Sequence, residues 1–230
     1  MTPASHARSD ARTDGRGGTR RPVVVLISGR GSNMRTLIEQ SLERRSPYAV
    51  TRVFSDQAAA GGLGIARELG VPTEVCRAAD FPTRSGFDAA LAEAVARSAP
   101  ALIVLAGFMR ILSAAFVARF SGRILNIHPS LLPKYPGLHT HRRVLAAGDS
   151  EHGATVHFVT AELDGGPPVL QGRVDPRPDD DEASLAKRVQ TMEHRIYPLA
   201  VRWFCEGRLE EREGLAWLDG RPLHEPVRLP

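Results

Sequence analysis

Asn126 and His128 stand two residues apart with the aliphatic Ile127 between them. If a strand ends here, alternation points both polar side chains one way and Ile127 the other. A neutral amide and an imidazole converging on one point can donate to a developing oxyanion. The imidazole can also carry a proton between an incoming and a departing nitrogen. Together they suit acyl transfer to an amine. Such a histidine must stay protonated near neutrality, and a nearby carboxylate raises its pKa by favouring the charged form. Asp164 is the candidate, in the turn Leu163-Asp164-Gly165-Gly166, where glycines let the backbone approach closely. His128 also reads as a core histidine satisfied by a carbonyl, and Asp164 as a turn former. Both alternatives stay open.

A second set of residues suits a phosphate. Ser28-Gly29-Arg30-Gly31-Ser32-Asn33 follows an aliphatic run and precedes a helical pattern. There, free N–H groups and the positive end of a helix dipole attract an anion. Met34 stands where a dinucleotide fingerprint needs its third glycine, and the Walker lysine is absent. One phosphomonoester therefore fits better than a dinucleotide. The other reading is a plain Gly-rich turn capped by Ser32 or Asn33.

Two further constellations can be assembled from the histidines and Ser130. A Ser130-His128-Asp164 hydrolase lacks the G-x-S-x-G setting of a nucleophile elbow. A metal site from His139, His141, His152 and His157 lacks supporting Cys or carboxylate spacing, so no metal is expected and these histidines read as solvated or loop-stabilising.

The elements that must position these groups follow a regular order. Strands are expected at 23–27, 48–54, 73–76, 101–106 and 123–127. Helices are expected at 33–44, at 62–69, around Phe87, Leu91 and Val95, and at 114–120. Alternating strands and helices imply an α/β fold with a doubly wound, mostly parallel sheet, helices on both faces, and a crevice beyond the strands' carboxyl ends. The phosphate loop and His128 both lie at such ends, so one crevice is expected to serve both. Residues 129–148 show no clear periodicity and read as a mobile lid. Alternation at 154–160 and a run at 169–174 predict an antiparallel addition toward the C-terminal part. Leu185, Val189, Met192, Ile196, Leu199 and Trp203 mark a long helix that Pro198 should kink. Residues 209–223 suggest a small hairpin through Asp219-Gly220.

Composition narrows the partners. The 230 residues carry a net charge of +4, but residues 1–21 hold five arginines against two aspartates, hence +3 of it. The remaining body is nearly neutral, which argues against nucleic acid. Residues 1–21 are polar and Arg-rich and are expected to be disordered. With no secretory h-region and no run of apolar residues long enough to span a bilayer, the expected location is the cytoplasm, with no membrane partner. Cys76 and Cys205 read as buried thiols in a reducing compartment.

Several long motifs carry a family likeness. Asn126-Ile127-His128-Pro129-Ser130-Leu131-Leu132-Pro133-Lys134-Tyr135-Pro136-Gly137 is one, and the run from Leu26 to Asn33 another. Leu105-Ala106-Gly107-Phe108-Met109-Arg110-Ile111-Leu112, His157-Phe158-Val159, Glu162-Leu163-Asp164-Gly165-Gly166 and the run from Gln190 to Pro198 complete the set. In this order they resemble the glycinamide ribonucleotide formyltransferases, within the folate-dependent formyltransferase family, over residues 23–219. The resemblance implies a Rossmann-like formyltransferase fold, with residues 22–230 as a single catalytic domain. It implies formyl transfer from 10-formyltetrahydrofolate, a co-substrate, to the amine of glycinamide ribonucleotide in purine biosynthesis. It implies Asn126, His128 and Asp164 as the catalytic set, with no covalent enzyme intermediate. It implies Gly31, Ser32 and Asn33 on the ribose phosphate, with Glu193 and Gln190 at the glycinamide end. It implies Arg84, Met109, Arg110, Ile111 and Leu112, together with Asn126, on the formylfolate. The expected state is a monomer or homodimer. Formyltetrahydrofolate hydrolase is the alternative activity, with water as acceptor, although that family usually carries an extra N-terminal regulatory domain. A methionyl-tRNA formyltransferase should carry a second domain and a basic surface. Pro168, where a β-branched residue is expected, and the arginine-bearing N-terminal extension depart from the pattern without touching this chemistry.

Overall fold

The computed structural model describes residues 19–230. The first aliphatic run forms β1 (Arg21–Ile27), and α1 (Ser32–Ser41), β2 (Tyr48–Ser55), α2 (Gly61–Glu68) and β3 (Thr73–Val75) follow. Next come α3 (Arg84–Arg97), β4 (Leu102–Leu105), α4 (Ala114–Arg119), β5 (Ile124–His128), α5 (Thr140–Ala147), β6 (His152–Phe158) and β7 (Pro168–Val174). The long helix α6 (Glu182–Cys205) leads to β8 (Leu209–Arg212), β9 (Leu215–Leu218), β10 (Arg221–Pro222) and β11 (Val227–Leu229).

The main sheet runs β11-β7-β6-β5-β4-β1-β2-β3. Strands β3, β2, β1, β4 and β5 are mutually parallel, whereas β6 is antiparallel to β5 and to β7. The parallel, doubly wound core and its antiparallel addition therefore stand as read from the sequence. Side-chain alternation on β1 separates two cores. Val23, Val25 and Ile27 pack with α1, α2 and α6, while Val24 and Leu26 pack with α3 and α4 on the opposite face. Because both faces are covered, an unbroken aliphatic strand is the stable choice.

Helix α6 begins at a capping box in which Asp181 and Ser184 each accept from the other's backbone N–H. Its apolar stripe faces the sheet, and it runs on past Pro198 rather than ending there. The Tyr197 hydroxyl reaches the Leu105 and Leu125 carbonyls at 2.8 and 3.0 Å, which fastens α6 over β4 and β5.

Four expectations need correction. The segment 129–148 is not without regular structure, because it contains α5, whose Val144 is fully buried in the α6 side of the core. Arg20 and Arg21 belong to the fold rather than to a disordered extension. Arg21 opens β1, and the Arg20 guanidinium donates to the carbonyls of Ser41, Glu43 and Arg44. The rest of the expected extension, residues 1–18, lies outside the described residues. The tail makes two turns rather than one, pairing β8 with β9 and β9 with β10, and then sends β11 back to pair in parallel with β7. Strand β5 reaches His128, so this residue is part of the ladder instead of following it. Pro168 takes the first position of β7, where a missing N–H is tolerated. No helix among the described residues is long and apolar enough to cross a membrane.

Candidate active site

Strand β5 ends at the carboxyl edge of the parallel set, and its last turn of alternation puts Asn126 and His128 on one face. The antiparallel ladder with β6 sets Asn126 opposite His157 and His128 opposite Thr155. Cross-strand neighbours on one face touch, and here they do. Asn126 Nδ2 lies 3.1 Å from His157 Nε2, and His157 Nδ1 lies 2.8 Å from the Phe158 carbonyl. A carbonyl only accepts, so Nδ1 carries the ring proton and Nε2 accepts from the Asn126 amide. Burial lowers the His157 pKa below its ordinary value, in keeping with this neutral ring. His157 thus orients the amide and leaves its second N–H free to donate.

His128 is buried and faces two acceptors. Its Nε2 lies 2.9 Å from the Tyr135 carbonyl, and its Nδ1 lies 3.4 Å from Asp164 Oδ2. A carbonyl only accepts, so Nε2 carries a proton, while Nδ1 lies within ion-pair distance of the Asp164 carboxylate. Asp164 takes a left-handed backbone conformation at φ 51°. The turn returns so closely that a Cβ on Gly166 would overlap the Phe158 carbonyl. Oδ2 of Asp164 also accepts from the Gly137 N–H at 2.9 Å, tying the 129–148 segment to the site. Structure therefore brings Asn126, His128 and Asp164 together and adds His157, which the sequence reading had set among solvated histidines. Only the β5–β6 register reveals that role.

Of the remaining residues in those constellations, His139 and His141 also line the cavity beside this site, whereas Ser130 and His152 do not. Ser130 is fully buried and its hydroxyl donates to the Lys134 carbonyl at 2.6 Å. His141 and His152 contact each other through Nδ1 and Nε2 at 2.9 Å, joining α5 to β6. Burial lowers the pKa of both, with His152 down to about 4. His139 caps α5 in a left-handed conformation and makes no side-chain cap. Among the described residues, no group of three or more His, Cys, Asp or Glu side chains is placed to hold a metal.

Beside Asn126, His128 and Asp164 opens a cavity of about 770 Å³. Met109, Arg110, Ile111 and Leu112 form part of its wall. Met109, Ile111, Leu138 and Leu163 line it while remaining largely exposed. Apolar side chains left open around polar groups suit a flat, largely apolar ligand with a polar reacting end. Arg84 is not part of this wall. Its guanidinium donates to the Ile111 carbonyl at 2.8 Å and holds the segment from outside.

The residues expected to bind the ribonucleotide form their own cluster at the start of α1. Gly31 caps the helix at φ 75°, with no side-chain cap and no acidic residue in the first turn. Gln190 Nε2 donates to Ser32 Oγ at 2.9 Å, and Asn33 Nδ2 donates to Glu193 Oε2 at 2.7 Å. Burial pushes the Glu193 carboxyl up to about 7, against the pull of the Asn33 amide. Oδ1 of Asn33 is buried without a partner. These residues lie beside the 770 Å³ cavity's lining and are not part of it. The link between the two places is Ser28, whose hydroxyl accepts from the Met109 N–H at 2.8 Å.

A polar cluster at the carboxyl edge of a doubly wound sheet, beside an apolar cavity and an uncapped helix start, has the equipment of a group-transfer enzyme acting on an anionic substrate. The chain belongs to the formyl transferase family, whose model matches residues 21–201. It is 53% identical over 201 residues to the phosphoribosylglycinamide formyltransferase of Escherichia coli, covering 87% of this chain and 95% of that one. It is also 41% identical over 198 residues to the trifunctional purine biosynthetic protein adenosine-3 of Bos taurus, covering 85% of this chain and 20% of that protein. Among solved structures, the phosphoribosylglycinamide formyltransferase of Coxiella burnetii is 44% identical with a TM-score of 0.87, covering 91% of this chain and 99% of that one.

Proposed function

We propose that this enzyme transfers the formyl group of 10-formyltetrahydrofolate to the amine of glycinamide ribonucleotide, a step of purine biosynthesis. The observation that carries the proposal is the convergence of Asn126, His128 and Asp164 at the mouth of the apolar cavity. In this reading the folate ring system lies against Met109 to Leu112, and its formyl carbon faces Asn126. The ribonucleotide phosphate sits on the N–H groups of Gly31, Ser32 and Asn33, and Glu193 and Gln190 meet its glycinamide end.

The amine attacks the formyl carbon, and a new C–N bond forms as the carbonyl becomes an oxyanion. The free N–H of Asn126 and the His128 imidazolium stabilise that charge. The attacking nitrogen then loses a proton, the bond to the folate nitrogen breaks, and that nitrogen gains a proton. Tetrahydrofolate and formylglycinamide ribonucleotide leave. For His128 to take part, its Nε2 must exchange the Tyr135 carbonyl for substrate, so the 129–148 segment shifts during the cycle. Among the described residues, no side chain is placed as an activated nucleophile, and the direct route needs none. Holding both substrates in place supplies much of the rate.

The test is an assay of purified enzyme with 10-formyltetrahydrofolate, with and without glycinamide ribonucleotide, following the deformylated folate. Turnover should require the ribonucleotide. Equal turnover without it would replace this reading with a formyltetrahydrofolate hydrolase.

A further inference from the structure

Ser28 separates β1 from the glycines of the phosphate loop, and the chemistry above gives its side chain no work. Yet it is closely engaged. Its hydroxyl donates to Asp56 Oδ1 at 2.6 Å and accepts from the Met109 N–H at 2.8 Å, while its own N–H donates to the Gly107 carbonyl at 3.0 Å. One residue thus joins the end of β1 to the backbone of the cavity wall.

Asp56 follows β2 immediately, and its side chain is only 2% exposed. Oδ2 accepts from Gln57 Nε2 at 3.1 Å and lies 3.7 Å from the Arg110 guanidinium. That guanidinium also sits 4.9 Å over the Phe87 ring. A buried carboxylate is costly unless paired, so its retention away from the reacting atoms calls for a reason.

Donor counting supplies one. A serine hydroxyl has a single proton, and a carboxylate can only accept. The proton must therefore point to Asp56, which leaves an oxygen lone pair for the Met109 N–H. Met109 is 70% exposed, so packing holds little of this peptide in place. Asp56 orients the next residue as well, through Arg110. The pair thereby controls both the tilt of the wall's peptide and the direction of its arginine.

We infer that Ser28 and Asp56 are positioning residues for the formyl donor: the pair fixes the Met109 peptide and the direction of the Arg110 guanidinium, and it sets affinity for the folate substrate rather than the rate of transfer. This rests on the proposed placement of the folate in the cavity.

The decisive measurement is calorimetric titration of 10-formyltetrahydrofolate into the wild type, Ser28→Ala and Asp56→Ala without ribonucleotide, followed by steady-state kinetics with both substrates. Each variant should bind the donor about tenfold more weakly, with kcat and the ribonucleotide KM within about twofold of wild type. The double variant should bind no more weakly than Asp56→Ala, because both act on one peptide. Wild-type affinity in Ser28→Ala, or equal rises in both KM values, would overturn the inference. Ser28→Ala decides alone if Asp56→Ala does not fold. A wild type that binds no donor would instead refute the functional reading beneath it.

Discussion

The Asp164 carboxylate stands 3.4 Å from His128 through the same Oδ2 that accepts the Gly137 N–H at 2.9 Å, so one oxygen serves the imidazole and the backbone of the 129–148 segment together. In Asp164→Asn the side chain keeps its shape, loses its charge, and sets an amide against one of these donors. Both Asp164→Asn and His128→Ala should lower kcat by roughly 10²- to 10⁴-fold, the range for a positioned acid–base group. Circular dichroism should show the fold retained. Near-wild-type turnover in either variant would remove that residue from the catalytic set.

Asn126 and His157 form the second half of the site. Removing one oxyanion donor typically costs about 10²- to 10³-fold in kcat, and Asn126→Ala is expected in that range. His157→Phe leaves Asn126 present but without its orienting acceptor, and it should lower kcat by about tenfold, equivalent to about 1.4 kcal/mol. The KM of the ribonucleotide should stay close to wild type in His157→Phe. If His157→Phe matches wild type in single-turnover rates, the amide needs no such orientation.

Glu193 predicts a pH dependence of stability in the unliganded enzyme. Its carboxyl rises from an ordinary 4.5 to about 7 because burial disfavours the charge. Between those values the folded chain holds a proton that the unfolded chain has released. Its stabilising contribution is therefore complete below the unfolded value and is lost as pH rises through the folded one, a difference of about 3 kcal/mol. Urea unfolding at pH 5 and pH 8 should show this loss in the wild type and a flatter response in Glu193→Gln. Identical pH responses in the two proteins would contradict the assignment.

Gly31 holds the Ser28 to Asn33 loop in a conformation that a side chain resists. Its φ is 75°, and an added Cβ would come 2.8 Å from the Gly62 Cα at the start of α2. Gly31→Ala should destabilise the fold by about 1–2 kcal/mol and raise the ribonucleotide KM by roughly tenfold or more, leaving donor affinity little changed. Urea midpoints and separate KM values for the two substrates check both parts. A donor KM that rises in step would show that the loop does not act on the phosphate alone.

Sequence carried the fold far because the central parallel strands β1 and β4 are written as continuous aliphatic runs and the long helix α6 as a stripe. Residues 23–27 and the α6 spacing show this best. It also paired Asn126 with His128, since two-residue alternation is a local property. What it missed depends on register or on three-dimensional return. His157 gains its role only when β6 lies antiparallel to β5 with Asn126 opposite it. Asp56 gains its role only when the ends of β2 and β1 lie side by side. Helix α5 has eight residues, too few for a clear stripe, although Gly148 at its C-terminal cap was a usable stop signal. Strand β11 has three residues between prolines, and no periodicity can mark so short a run.

That last strand changes how the molecule meets its neighbours. A sheet edge offers unpaired N–H and C=O groups to any extended chain nearby, and a long edge is a template for aggregation. Here β7, with seven residues, would be such an edge, but β11 lies along it. The opposite border is β3, also three residues long. Both borders of the eight-stranded sheet are therefore three-residue strands, and β11 pairs with Leu170 to Gly172 of β7, so each outer edge offers only a short row of unpaired backbone groups.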